Sequence, residues 1–475
     1  PFGTQRIWYE RFGEKIYKRG VCGMNREFYK KLLSLVLPIA FSQFMLSLVG
    51  ASDAVMLGMI SQDALSAVSL AGQVMFVFNL FLTAFAAGAS MMAAQYWGIG
   101  DRGAVEKILA FVLRASLLVS FVFFAGTLLF PWTLMRFFTP EQNLIDGGAI
   151  YLRVSAVSYL MCGVSQIYLC IMKNSGRAIK STVISSAAVV LNIILNALFI
   201  FGLCGLQPMG IAGAALATTI SRAVECAWTV WDSYKPGRIR LRGSYFLHKD
   251  PALSPVYWKY TLQILGNQLA WGCGFTMYSV VMGHMGSDAV AANSIANIAK
   301  NLMVCFCIGI GNGGSILIGN ELGAGRLERA REYGGRLCQI AVLGGIASGG
   351  LLLLASPLIL RFCGLSAQAG EYLKWMFVVC SYYLVGKSIN TTTIGGIFAA
   401  GGDTQFGLIC DTITLWCVTV PLGCIAAFVL HWPVLAVYFV LNLDEIVKLP
   451  VVYKHYKAYT WVNSITTHKT ACAGS

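Results

Sequence analysis

Residues 32–58 read LLSLVLPIAFSQFMLSLVGASDAVMLG. One ionisable side chain, Asp53, interrupts this run. A helix crosses the bilayer core with about 20 consecutive apolar residues, so a stretch like this is long enough to span. The rest of the chain repeats the pattern. Of 475 residues 57% are apolar and 12% charged, against about 25% charged in soluble domains. Eleven more runs follow, at 64–90, 108–131, 148–172, 181–203, 210–233, 256–283, 288–318, 337–363, 371–399, 407–430 and 433–453. The expected class is an all-α membrane protein of twelve transmembrane helices.

The charge lies in the breaks between runs. The formal net charge is +14, and one alternate set of breaks holds most of the bases: Arg6 to Lys31, Arg102 and Lys107, Lys173 to Lys180, Lys235 to Lys249, Arg326 to Arg336 and Lys454 to Lys457. The other set is nearly empty. Basic loops stay on the cytoplasmic side, so an even helix count places both termini in the cytoplasm. No basic face with interleaved aromatics suits nucleic acid, and an anionic lipid leaflet is the better partner. The first 31 residues are polar and basic, unlike a cleavable signal. The fifteen cysteines sit within apolar runs, where they read as small filler. No spacing suits a metal.

An internal repeat divides the chain. Gly58-Met-Ile-Ser-Gln-Asp63-Ala64 echoes Gly283-His-Met-Gly-Ser-Asp288-Ala289, Gly98-Ile-Gly100 echoes Gly323-Ala-Gly325, Gly176 echoes Gly402, and Leu37 echoes Leu262. All lie about 225 residues apart. The expected organisation is a cytoplasmic segment 1–31, an N-lobe 32–233, a linker 234–255, a C-lobe 256–453 and a cytoplasmic tail 454–475. Six is even, so the lobes share one topology about an axis along the membrane normal.

Soluble-enzyme motifs are missing. There is no P-loop and no His-Glu-x-x-His. Gly309-Ile-Gly311-Asn-Gly-Gly314 fits a dinucleotide pattern, but no strand precedes it; small residues in an apolar run serve close helix packing. Ionisable groups at membrane depth are costly and mark functional positions. Asp53 must be protonated or bound to a cation, and either makes a titratable switch; the alternative is an outer-interface residue touching water. Asn192 and Asn196 share one helix face and either cap a neighbour or help to ligate. Thr218 in the sixth run commonly satisfies its own backbone. Lys300 and Lys387 lie too deep to snorkel and either pair with carboxylates or face a wet cavity. Asp411, Asp444 and Glu445 read as structural or interfacial. Pro38 removes a backbone donor and is expected to bend the first helix.

These residues also resemble a known family. Leu37-Pro38-Ile39 and Asp53-Ala-Val-Met-Leu-Gly58 are similar to the first helix of the multidrug and toxic compound extrusion family. So are Gly98-Ile-Gly100-Asp101, Leu191-Asn192-Ile-Ile-Leu-Asn196, Phe201-Gly202, Gly210-Ile-Ala-Gly213-Ala-Ala-Leu-Ala-Thr218, Gly401-Gly402-Asp403-Thr404 and Trp416 to Pro421. The resemblance runs from about residue 32 onward. It implies an antiporter, coupled to protons or sodium and needing no cofactor, that exports small organic cations as a monomer. It implies an N-lobe site of Asp53, Asn192, Asn196 and Thr218. Many members carry Asp where this chain has Asn196. Members also often read Leu-Pro-x-x-x-Asn-Glu in the seventh helix, where this chain reads Leu262-Gln263-Ile-Leu-Gly-Asn267-Gln268. The expectation is a C-lobe without its carboxylate ion site, with Gln268, Lys300 and Lys387 as second-lobe candidates. A flippase or exporter for a lipid-linked or anionic substrate is the alternative; the charge around the deep groups separates the two, acidic for organic cations and basic for anions.

Overall fold

The computed structural model describes residues 3–205, 207–247, 251, 253–362 and 366–464, with side chains from residue 26 onward save those of 204, 247 and 362. Among the described residues there are helices and no strands. The N-lobe helices are α1 Gly3–Gly58, α2 Gln62–Gly98, α3 Arg102–Leu129, α4 Gln142–Asn174, α5 Ala178–Phe201 and α6 Gly210–Ser233. The C-lobe helices are α7 Leu253–Gly283, α8 Ser287–Gly323, α9 Leu327–Phe362, α10 Ala367–Asn390 running on through π-helical Thr391–Phe398, and α11 Thr404–Val429. The last, α12, comes in pieces: Val434–Leu441, Asp444–Val447 and Leu449–Ala458. Short helices Pro131–Phe138 and Gly243–Leu247 lie between α3 and α4 and in the linker.

Eight of the helices are long and apolar enough to cross a membrane by composition alone. The other four, α6, α7, α10 and α12, carry more polar side chains or are broken. They complete the spans by packing, because lobe burial rather than lipid satisfies their polar groups. Large side chains such as Leu118 and Phe121 on α3 and Leu343 and Leu354 on α9 are exposed, as suits faces turned to lipid. Helices run beyond their apolar windows at most ends, since a helix continues into the interface after its hydrophobic residues stop. The largest case corrects the expected start at residue 32. Here α1 is already helical from Gly3 and stays continuous through Pro38, and Phe28 and Leu32 are buried with Leu337, Phe398 and Trp461. The expected single run at 433–453 is likewise corrected, with breaks after Leu441 and Val447.

The two halves repeat. In the N-lobe α1 packs on α5 and α4 on α6; in the C-lobe α7 packs on α11 and α10 on α12. The repeat glycines explain their own recurrence: Gly100 and Gly325, and Gly176 and Gly402, all hold φ between +73° and +80°, a left-handed helix end that glycine adopts without a Cβ penalty. The lobes meet where α2 crosses α8. A Cβ on Gly98 would strike the Asn320 carbonyl, and one on Gly323 would strike the Gln95 carbonyl. Each pair is 225 residues apart, Gly98 from Gly323 and Gln95 from Asn320, so the crossing sits on the two-fold axis. Gly309 and Gly313 pack on Ala40 and Val36 of α1, which is the close packing expected of that glycine-rich stretch. These contacts lie toward the α2–α3 and α8–α9 ends, away from the α1–α2 and α7–α8 turns.

Candidate functional site

The N-lobe site is built along the parallel pair α1 and α5. Thr182 Oγ1 donates to the Pro38 carbonyl at 2.7 Å, and Ser42 and Ser185 share a hydrogen bond of 2.9 Å. Farther along, Asn196 Nδ2 donates to Asp53 Oδ1. The constant register follows from two helices of equal rise packed side by side. Asn192 and Asn196, four residues apart, face the same way. Asn196 Nδ2 also reaches Asn192 Oδ1 at 3.2 Å, and Asn192 Nδ2 reaches Thr218 Oγ1 at 3.4 Å and Ser221 Oγ at 3.3 Å. Thr218 Oγ1 itself donates to the Ala214 carbonyl at 3.0 Å. The structure therefore brings Asp53, Asn192, Asn196 and Thr218 into one chain of polar contacts across three helices.

Asn192 and Asn196 are buried, while Asp53 is half-buried. Asp53 has no ion pair among the described residues. It is not the N-lobe's sole deep carboxylate. Glu225 on α6 is buried as well, but it is spoken for: Arg222 Nη1 contacts it at 2.9 Å and Ser165 Oγ donates to it at 3.1 Å. Arg222 and Glu225 stand three apart in an apolar run, so both were visible as ionisable groups at depth; only their pairing needed the fold.

Two of the C-lobe acids read as structural or interfacial, Asp411 and Glu445, are tied into ion pairs. Glu445 takes Lys387 Nζ at 3.0 Å, Lys448 Nζ at 3.1 Å and Asn390 Nδ2 at 2.8 Å. Lys448 also holds Asp411 at 2.9 Å, and Asn267 Nδ2 donates to Asp411 at 2.9 Å. These C-lobe carboxylates thus lie on α11 and α12, each held by a lysine, and α7 carries Gln268. Gln268 is half-buried and makes no hydrogen bond among the described residues; its neighbour Asn267 is the α7 side chain that joins the cluster. Gln263, in the place of the missing proline, accepts from Thr404 Oγ1 at 2.5 Å.

Lys387 is thus a paired lysine. Lys300 is not: its Nζ donates to Asn442 Oδ1 at 3.5 Å and lies 4.8 Å from the Tyr383 ring centre. Among the described residues no carboxylate stands within 4.0 Å of it. The two lobes share a motif. In each, a buried glutamate on the last helix receives a hydrogen bond from the fourth helix of its lobe and an ion pair from a base three residues away: Ser165 and Arg222 for Glu225, Asn390 and Lys448 for Glu445.

Comparison with known proteins gives the same division. The MatE family model matches twice, over residues 38–198 and 264–425. An uncharacterized transporter of Bacillus subtilis (strain 168), YisQ, is 21% identical over 438 residues, covering 91% of this chain and 94% of that protein. A probable multidrug resistance protein of Thermotoga maritima, NorM, is 23% identical over 404 residues, covering 84% and 85%. Among solved structures, a MOP superfamily transporter from Pyrococcus furiosus, for which reverse polarity of the binding pocket suggests a different function, superposes with TM-score 0.83 at 17% identity over 90% of this chain and 95% of that one. A multidrug resistance MATE family transporter in an outward-facing conformation gives 0.82 at 18% identity, with the same coverage.

Proposed function

This chain belongs to the MatE family of membrane transporters, the multidrug and toxic compound extrusion family, and from that premise we propose that it is a proton- or sodium-coupled antiporter exporting small organic cations. It works by alternating access, as a multi-pass protein of a bacterial cytoplasmic membrane with both termini inside. The observation that carries the reading is Asp53, a carboxylate within a span that accepts from the neutral amide of Asn196 and makes no ion pair among the described residues. Such a group is stable with a proton or a cation on it and unstable with neither. Exchange of one for the other at this atom is the coupling step: a cationic substrate and the coupling ion compete for Asp53. Each species shifts the lobes only by binding one arrangement better than the other.

Of Asp53, Asn192, Asn196 and Thr218, the one charged side chain is a carboxylate, which supports a cation over an anion. The test is transport in proteoliposomes under imposed proton and sodium gradients, applied separately. Asp53→Asn should abolish gradient-driven export and weaken binding of an organic cation about 10- to 100-fold, the worth of a hydrogen bond to a charged group. Export at the wild-type rate by well-folded Asp53→Asn protein would refute the reading.

A further inference from the structure

The N-lobe holds a second deep pair of charges that the coupling step at Asp53 leaves unused. Arg222 and Glu225 both lie on α6, and Glu225 is 1% exposed. Its Oε2 accepts from Arg222 Nη1 at 2.9 Å and from Ser165 Oγ at 3.1 Å, while its Oε1 has no hydrogen-bond partner among the described residues. The pair is thus joined by one oxygen and one nitrogen. A guanidinium has five N–H donors and grips a carboxylate most firmly with two parallel bonds, so this grip is a light one. The Arg222 side chain is also 24% exposed, and its surroundings leave it room to move.

Arg222 stands beside the Asp53 site. Thr218 and Arg222 are four residues apart on one face of α6, about 6 Å along the axis at 1.5 Å per residue. A helical side chain leans toward the N-terminus of its helix, which for Arg222 is toward Thr218. Thr218 touches Asn192, Asn192 touches Asn196, and Asn196 donates to Asp53. Ser221, the residue before Arg222, receives the other Asn192 contact at 3.3 Å. Asp53 senses burial, the Asn196 amide and, through space, the Arg222 charge. The Tyr151 hydroxyl on α4 senses Asp53, Thr218 and Arg222 together, so the two opposite charges surround one group. They make no ion pair with each other; the carboxylate that Arg222 holds is Glu225.

We propose that Arg222 is a tethered rival of the transported cation at Asp53, and that Glu225 is the positioning residue that keeps it away. The inference rests on the proposed export of organic cations through Asp53. A guanidinium on the same chain is present at a fixed local concentration and needs no encounter. The site is open to a cation from outside the chain when Arg222 lies on Glu225 and closed when it lies on Asp53. Occupation of Asp53 by the guanidinium for about nine-tenths of the time lowers the affinity for an external cation about tenfold. Glu225 therefore sets a threshold: cations that bind Asp53 more weakly than the tethered group are refused.

The experiment measures binding of tetraphenylphosphonium, a permanent cation with no proton to lose, to the full chain in lipid nanodiscs at neutral pH. Glu225→Gln frees Arg222 and should weaken binding at least about tenfold. Glu225→Gln with Arg222→Met should restore wild-type affinity or exceed it, whereas Glu225→Gln with Arg222→Lys keeps a tethered charge and should stay weak. A purely structural role for Glu225 predicts no rescue by Arg222→Met. Where Glu225→Gln alone does not fold, the variant with Arg222→Met, which leaves no buried charge at the pair, is compared with wild type, and weaker binding by that folded variant overturns the proposal. Wild-type affinity in folded Glu225→Gln protein, or a loss that Arg222→Met does not rescue, overturns it as well. Asp53→Asn separates the two readings. If it weakens binding while Glu225→Gln does not, the inference fails and the organic-cation reading stands; if it binds as wild type, the organic-cation reading fails and takes the inference with it.

Discussion

Glu445 is the most heavily connected carboxylate in the C-lobe, and its removal has a calculable cost. Glu445→Gln keeps the shape of the side chain and deletes its charge. Lys448 retains Asp411 at 2.9 Å. Lys387 retains no carboxylate; the Trp271 ring, 5.6 Å away, is its remaining neighbour. Two unit charges about 3 Å apart attract by roughly 5 kcal/mol at an effective dielectric constant near 20. Desolvation of both partners offsets much of that in the intact pair, but a lone buried ammonium keeps its desolvation cost without the attraction. Breaking a buried pair in this way costs about 3–5 kcal/mol. Because Lys387 is 19% exposed, the lower end applies, about 3 kcal/mol. The assay is equilibrium unfolding in mixed micelles, run as a cycle with Lys387→Met and the double variant. Removing Lys387 as well as Glu445 takes away the orphaned charge, so the double variant should recover stability and the coupling should exceed about 1.5 kcal/mol. A coupling near zero, or Glu445→Gln as stable as wild type, would refute the account of this cluster.

Three further outcomes follow from the same contacts. Gln268→Glu places a carboxylate one residue from Asn267 and should add a proton or cation requirement to transport; identical sodium and pH dependence in both forms would remove position 268 from the coupling machinery. Gly323→Val sets a side chain against the Gln95 carbonyl at the α2–α8 crossing, so transport should fall at least about tenfold while helicity by circular dichroism is unchanged; normal transport would show that this crossing does not need to close. Trp461 is fully buried and rests on Gly334, so Trp461→Ala should cost about 3–5 kcal/mol in the same unfolding assay, and a loss below about 1 kcal/mol would mean that the segment after α12 is not anchored by this contact.

Much was legible before any coordinates. Apolar run length set the number of helices, because a bilayer accepts a helix and little else. The offset of about 225 residues divided the chain into two lobes of one topology, and the glycines that carry it proved to be left-handed helix ends. Asp53 stood out as a charge in an apolar run and Asn192 and Asn196 as sharing a face, but it was the family resemblance that joined them with Thr218 as one site. What the sequence could not hold is which helix packs on which. Asp411, Asp444 and Glu445 read as structural or interfacial along their own helices, and only the packed lobes show which bases hold two of them: Asp411 and Glu445 meet Lys387 and Lys448 across α10, α11 and α12. Run length and periodicity are properties of one segment, and the chain states them directly. Ion pairing is a property of two or three segments at 3 Å, where burial makes each unpaired charge costly; only the packed lobes decide that Lys387 is satisfied and Lys300 is not.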